Sequence, residues 1–192
     1  MKIGLTGSIA CGKSTVSAYL KTLGHVVVDA DAISHAVTAP GGSALPLLRA
    51  AFGDAVFDGN SLNRRALGSL VFADEGKRAQ LNAILHPMII SSIQEELHAL
   101  DAAGRLVFGD VPLLFECAME NMFDQIWVVS VPEDIQLERV MTRDGLSRHE
   151  ALDRIRSQMP LEEKRKRADA VIDSSGSVEQ TREKIDALID SL

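Results

Sequence analysis

Apolar residues along this chain fall into two rhythms. Short dense runs occur at Lys2–Thr6, His25–Val28, Arg105–Val111, Asp124–Val131 and Ala170–Asp173, each bounded by Gly, Asp or Pro. Runs of that length, rich in Val and Ile, predict buried strands. Between them, apolar positions recur at helical spacing over Val16–Leu23, Asp31–Val37, Leu45–Phe52, Leu62–Phe72, Lys77–Leu85, Met88–Leu100 and Val178–Leu192. Pro132 opens another helix, carrying Ile135, Leu137, Val140 and Met141. Ser147 with Glu150 makes a capping box for a helix from Arg148 to about Met159. Gly24 stops the first helix and Pro40-Gly41-Gly42 breaks the chain. His86-Pro87 interrupts the pattern, because proline pushes the residue before it out of helical conformation. No strand is expected between Ala39 and Leu100.

Strands alternating with helices predict an α/β fold, a five-stranded parallel sheet with helices on both faces. The unbroken helical stretch reads as an insertion that builds a second substrate's pocket. Two arginine-bearing helices hinged at Asp144-Gly145 read as a lid. The predicted organisation is a nucleotide-binding core of residues 1–30, 104–138 and 168–192, a helical insertion over 31–103 and a helical lid over 139–167.

Composition narrows the picture. The 192 residues suffice for one domain or one domain with embedded subdomains, and 46% apolar with 24% charged residues is globular rather than disordered. No apolar run reaches the ~18–20 residues of a membrane span, and the chain opens on strand residues rather than a leader, so a cytoplasmic protein is expected. Cys11 and Cys117 have neither ligand spacing nor a disulfide framework. The net charge of −7 argues against nonspecific nucleic-acid binding, yet residues 139–167 hold nine Lys/Arg against five Asp/Glu. A compact basic segment in an acidic chain suits a small polyanionic ligand.

The decisive stretch follows the first strand. Gly7-Ser8-Ile9-Ala10-Cys11-Gly12-Lys13-Ser14-Thr15 fills G-x-x-x-x-G-K-S/T without a mismatch and opens a helix. Strand, glycine loop and helix in that order is the context of a phosphate-binding loop. The glycines let backbone N–H groups turn inward on an anion, and the helix terminus adds partial positive charge. Lys13 then serves the β- and γ-phosphates, and Ser14 offers its hydroxyl to Mg²⁺.

Carboxylates at strand ends complete the chemistry. Asp29-Ala30-Asp31 follows the second strand, with Asp29 read as a helix cap and Asp31 as functional. Asp110 ends the third strand near the loop and suits Mg²⁺ support through water, with Glu116 the lesser candidate. A GTPase would need a guanine-reading N-K-x-D, which is absent, and the D-x-x-G match at Asp101–Gly104 ends a helix rather than a strand. A carboxylate base, a helical insertion and charge-neutralising lid arginines describe a small-molecule kinase. The alternatives are another P-loop small-molecule or nucleotide kinase, or a non-catalytic ATP-binding regulator.

The residues also resemble the dephospho-coenzyme A kinase family over nearly the whole chain. The likeness rests on Gly4-Leu5-Thr6-Gly7 with the loop and Asp29-Ala30-Asp31. It continues through Leu62-Asn63-Arg64-Arg65-Ala66-Leu67-Gly68, Leu85-His86-Pro87 and Asp110-Val111-Pro112-Leu113-Leu114-Phe115-Glu116. Gln136, Arg139, Arg143-Asp144, Arg154-Ile155, Gln158 and Ala168–Asp173 complete it. The resemblance implies a P-loop NTPase-type fold. It also implies transfer of the ATP γ-phosphoryl group to the ribose 3′-hydroxyl of dephospho-CoA, the final step of coenzyme A synthesis. Asp31 falls on the proposed general base, Arg64, Arg65 and His86 on the acceptor pocket, and Arg139 and Arg143 on ATP-contacting positions. The implied partners are ATP with Mg²⁺ and dephospho-CoA, with no nucleic acid and no membrane, for a monomer or weak oligomer. Two departures stand out. The loop reads Ser8-Ile9-Ala10-Cys11 where many members carry Gly-Ile-Gly-Ser, and Ser174 stands where the family often has Asn. Cys11, beside a helix N-terminus, is open to a lowered pKa, though an inert small residue is the plainer reading.

Overall fold

The computed structural model describes all 192 residues, which form two compact units: Met1–Val28 with Leu97–Leu192, and Asp29–Glu96. The first unit is built on a five-stranded sheet. Its strands are β1 (Lys2–Gly7), β2 (Val26–Asp29), β5 (Val107–Asp110), β6 (Gln125–Ser130) and β7 (Ala170–Asp173). The order across the sheet is β2-β5-β1-β6-β7, all parallel, as the alternation of strands and helices predicts. Its helices are α1 (Lys13–Thr22), α6 (Glu133–Asp144), α7 (Arg148–Arg156), α8 (Leu161–Lys166) and the closing α9 (Val178–Asp190), while β5 and β6 are joined by turns and a 3-10 segment at Glu120–Met122.

Strand alternation sorts side chains between the two faces of the sheet. On one face Ile3, Leu5, Phe108, Trp127, Val129 and Ile172 form a core with Val16 and Leu20 of α1 and Ile185 of α9. The Phe108 and Trp127 rings meet edge to face at 5.4 Å. Each fully buried large side chain contributes roughly 1.5–3 kcal/mol. On the other face Gly4 and Gly109 lie opposite each other across the β1–β5 ladder. A Cβ at Gly109 would come within 2.5 Å of the Phe123 ring, and one at Gly4 within 2.9 Å of the same ring. The two glycines thus form a seat for one phenylalanine.

The second unit begins with α2 (Ala30–Val37) and α3 (Leu45–Phe52), then a two-stranded hairpin of β3 (Phe57–Asp58) and β4 (Ser61–Leu62). Helix α4 (Arg64–Ala73) and the first part of α5 (Glu75–Ala102) follow. Its core joins Val37, Leu45, Leu48, Val56, Phe57 and Leu67, with Leu81, Ile84, Leu85, Met88 and Ile89 of α5 packed against them.

Four expectations are corrected here. The hairpin supplies strands in a stretch where none was expected; Gly59 at φ 60 takes the left-handed turn conformation that closes it. Helix α4 therefore starts at Arg64, with the Asn63 side chain accepting from the Ala66 N–H as its cap. His86-Pro87 does not split the helix, since α5 runs 28 residues through Pro87. Apolar residues on both sides of Pro87 share one core, and that burial outweighs one missing hydrogen bond and the pre-proline preference. Finally, the helix from Arg148 ends at Arg156, and α8 is a separate element after Pro160.

Candidate active site

Strand β1 delivers the chain at Gly7, and α1 begins at Lys13, earlier than the apolar spacing suggests, because the loop itself winds into its first turn. Gly7 is required by close approach: a Cβ there would stand 2.8 Å from the Val129 carbonyl oxygen of β6. Gly12 caps α1 at φ 89, and a Cβ would sit 2.7 Å from the Ser174 hydroxyl. Ala10 is left-handed as well, at φ 57, which for a residue with a side chain costs roughly 1–2 kcal/mol. Such strain persists only where surrounding contacts hold it.

Ser14 and Thr15 are exposed on the first turn of α1. They line a cavity of about 630 Å³ together with Ala10, Gly12, Arg139 and Arg143. Below the loop, the Lys13 ammonium forms an ion pair with the Asp110 carboxylate at the end of β5, and both side chains are largely buried. The structure thus brings Lys13, Ser14, Asp110, Arg139 and Arg143 to one end of the sheet, at the carboxyl ends of β1 and β5.

Cys11 is inert by position. It is 1% exposed, and burial pushes its thiol up despite the nearby Lys13 backbone N–H and ammonium. The plainer reading of this cysteine is the one its surroundings favour. Asp101 of the D-x-x-G match lies in the last turns of α5 and pairs with the chain's N-terminal amine, away from any strand end.

Both arginines of α6 are engaged. Arg139 donates to the Ser174 carbonyl oxygen at 2.8 Å, and the Ser174 hydroxyl donates to the Cys11 carbonyl oxygen at 2.5 Å. The serine hydroxyl is therefore directed at the loop. Arg143 donates to Asp144 at 2.8 and 3.0 Å, and Arg154 of α7 reaches the same carboxylate at 2.6 Å. The hydrogen bonds from Arg143, with the charge of both guanidiniums, hold the Asp144 carboxyl below its usual range.

Glu116 accepts from the Met159 N–H at 3.0 Å and pairs with the Lys164 ammonium at 2.9 Å. Sequence reasoning passed over Lys164, which is completely buried and also donates to the carbonyl oxygens of Gly7 (3.2 Å) and Pro112 (3.0 Å). Inside a run of charged residues it looks like part of a solvated face; only its spacing of three from Leu161 places it on the inward side.

The remaining candidates belong to the second unit. Asp29 caps α2, its Oδ1 accepting from the Asp31 N–H at 2.9 Å and the Ala32 N–H at 3.1 Å, which leaves Asp31 as the exposed acid of the first helical turn. Arg64 donates to the Thr38 hydroxyl at 2.7 Å. Arg65 and His86 are exposed.

A family model described as dephospho-CoA kinase matches residues 1–180. The chain belongs to the dephospho-CoA kinase family. A dephospho-CoA kinase of Carboxydothermus hydrogenoformans is 48% identical over 179 residues, covering 92% of this chain and 87% of the relative. Among solved structures, the Thermus thermophilus protein TT1252 matches with a TM-score of 0.81 and 42% identity, covering 100% of this chain and 97% of that one. The dephospho-CoA kinase of Campylobacter jejuni matches with a TM-score of 0.73 and 30% identity, covering 99% of this chain and 96% of that one. The dephospho-CoA kinase fold is thus the P-loop kinase sheet described above.

Proposed function

We propose that this protein transfers the γ-phosphoryl group of ATP to the ribose 3′-hydroxyl of dephospho-CoA, giving CoA and ADP in the cytoplasm. The observation that carries the reading is the Lys13–Asp110 pair beside a cavity edged by Ser14, Arg139 and Arg143, in a chain of this family. The loop from Ser8 to Thr15 receives the triphosphate through those of its backbone N–H groups left free, that of Ile9 being held by the Gln158 side chain, and through the Lys13 ammonium. Arg139 and Arg143 neutralise charge on the moving group from the basic segment 139–167, which we assign as the lid. Asp31 takes the proton from the acceptor hydroxyl; its neighbour Asp29 is occupied as a helix cap. Arg64, Arg65 and His86 of the insertion over 31–103, with Glu116 and Asp110, are assigned to the acceptor side.

The hydroxyl of Ser14 and the carboxylate of Asp110 are hard oxygen donors of the kind Mg²⁺ takes, and they would hold the ion that accompanies ATP. Bound there, Mg²⁺ would offset negative charge on the β- and γ-phosphates. Among His, Cys, Asp and Glu, no group of three is arranged to hold a metal ion. No helix is long and apolar enough to cross a membrane.

The test is ADP release with ATP, Mg²⁺ and dephospho-CoA, run beside AMP, nucleosides and shikimate. Stoichiometric CoA with dephospho-CoA alone is expected. ADP release with a different acceptor would move the chain to another P-loop kinase reaction, and ATP binding without any release would make it a regulator.

A further inference from the structure

Both backbone polar atoms of Ile9, at the middle of the phosphate loop, are held by glutamine side chains from the basic helical region. Gln136, 2% exposed on α6, donates from Nε2 to the Ile9 carbonyl oxygen at 2.8 Å. Gln158, just beyond α7, accepts at Oε1 from the Ile9 N–H at 2.8 Å and from the Ser8 hydroxyl at 3.0 Å. The partners fix the polarity of each amide: a carbonyl can only accept and an N–H can only donate. The side chains of Ile9 and Ala10 complete the contact, packing against Leu137 and Val140 of α6 and Ala151 of α7.

The consequence lies in the next residue. A trans peptide is planar, so pinning the Ile9 carbonyl oxygen also fixes the Ala10 N–H, which must point the opposite way, away from the Gln136 amide. The same restraint stops that peptide from flipping and releasing Ala10 from its left-handed φ of 57°. Ala10 lines the 630 Å³ cavity beside Gly12 and Ser14. We infer that Gln136 and Gln158 are positioning residues for nucleotide binding: together they set the loop's backbone so that its amides are pre-aimed at the phosphates of ATP. The inference rests on the kinase reading for the identity of the anion. It also makes the loop and the helices α6 and α7 one mechanical body, so that any movement of those helices carries the loop with it.

The two polarities supply the test. Gln136→Glu and Gln158→Glu each place a carboxylate beside Ile9, the first at a buried position and the second at a half-buried one, so burial of the charge adds to any loss in Gln136→Glu. Positioning predicts unequal losses, and the neutral Gln136→Met variant separates a lost donor from a buried charge. A carboxylate introduced at position 158 keeps the oxygen that accepts from the Ile9 N–H, whereas one introduced at position 136 is set against a carbonyl. ATP·Mg²⁺ affinity measured by calorimetry is expected to be at least about tenfold weaker in Gln136→Glu than in Gln158→Glu, the scale of one unsatisfied buried hydrogen-bonding group. The KM for ATP should follow that order while the KM for dephospho-CoA stays within about twofold. Gln136→Met, which removes the donor without adding charge, should also weaken ATP binding, and it decides the matter if the Gln136→Glu variant does not fold. Equal ATP affinities in the two charged variants, or wild-type affinity in Gln136→Met, would overturn the inference. Because ATP affinity is read without an acceptor, failure of the wild-type protein to phosphorylate dephospho-CoA would strike the proposed reaction alone.

Discussion

At Asp31 the difference between two neighbouring carboxylates supports the proposed role of general base. Asp29 spends its oxygen on two backbone N–H groups, and Asp31 stands exposed two residues further on. Asp31→Asn is expected to lower turnover by about 10²-fold or more and leave the ATP dissociation constant unchanged, as loss of a general base should. Steady-state kinetics with a parallel binding titration checks both halves. Cys11 gives a second residue-scale expectation. Burial pushes both thiols up, that of Cys117 with help from the Glu116 charge, but Cys11 is buried whereas Cys117 is only half-buried. Iodoacetamide should therefore label Cys117 first in the native protein, as read by peptide mass mapping. Asp173 gives a pH dependence. The hydrogen bonds it accepts from Ser175, then the Lys184 ammonium, hold its carboxyl down to about 2, against about 3.9 in an unfolded chain. Its contribution is thus fully present above about pH 4 and is lost as the pH falls toward 2. In urea titrations the stability gap between wild type and Asp173→Asn should be open at pH 6 and mostly lost by pH 2, where the folded carboxyl is half protonated; the gap will be small, since the side chain is half exposed to solvent.

Among the elements, α5 carries the sharpest expectation. Pro87 lies inside it and leaves the Ala83 carbonyl without its helical donor. Pro87→Ala should raise the urea midpoint, with a gain in unfolding free energy of up to ~3 kcal/mol if the helix is otherwise unchanged. An unchanged midpoint would mean that the helix has already relaxed around the ring. This helix also shows why some elements were legible in the sequence and others not. The first strand, loop and helix could be read directly, because strand residues, two glycines and a helix start each carry an independent local signal. The capping box at Ser147 and the cap at Asp29 were equally local. Pro87 misled because a backbone preference was weighed without the shared core that overrides it. The hairpin at Phe57–Leu62 escaped because its strands are two residues long, too short for any period; only Gly59-Asn60 at its tip announced it. Of the site, Lys13, Ser14 and Asp110 were legible from motif and strand end. Gln136, Gln158 and Ser174 entered only through the family resemblance and Lys164 not at all, since their partners are carbonyls and N–H groups of the loop more than a hundred residues away.

For the molecule as a whole, the order β2-β5-β1-β6-β7 puts the loop-bearing strand at the centre. Alternation of strands and helices foretold a parallel sheet but not that order, because the strands are similarly apolar. The two units each have a core of their own. With hydrogen exchange as the readout, ATP·Mg²⁺ should protect amides of α1 and α6, and dephospho-CoA should add protection in α2 and α4. Protection by the nucleotide alone across α2 and α4 would count against assigning the acceptor to residues 31–103.

The groups that hold the phosphate loop in shape all come late in the chain. Lys164 beneath Gly7, Gln158 on Ile9 and Ser174 on the Cys11 carbonyl leave the ribosome long after the loop they steady. A nascent polypeptide that has emerged only as far as α7 displays the complete nucleotide signature at its front and lacks these three struts. Capture of ATP during synthesis should therefore wait for the final stretch of translation, and a fragment ending at residue 150 should fail to retain the nucleotide despite an intact motif.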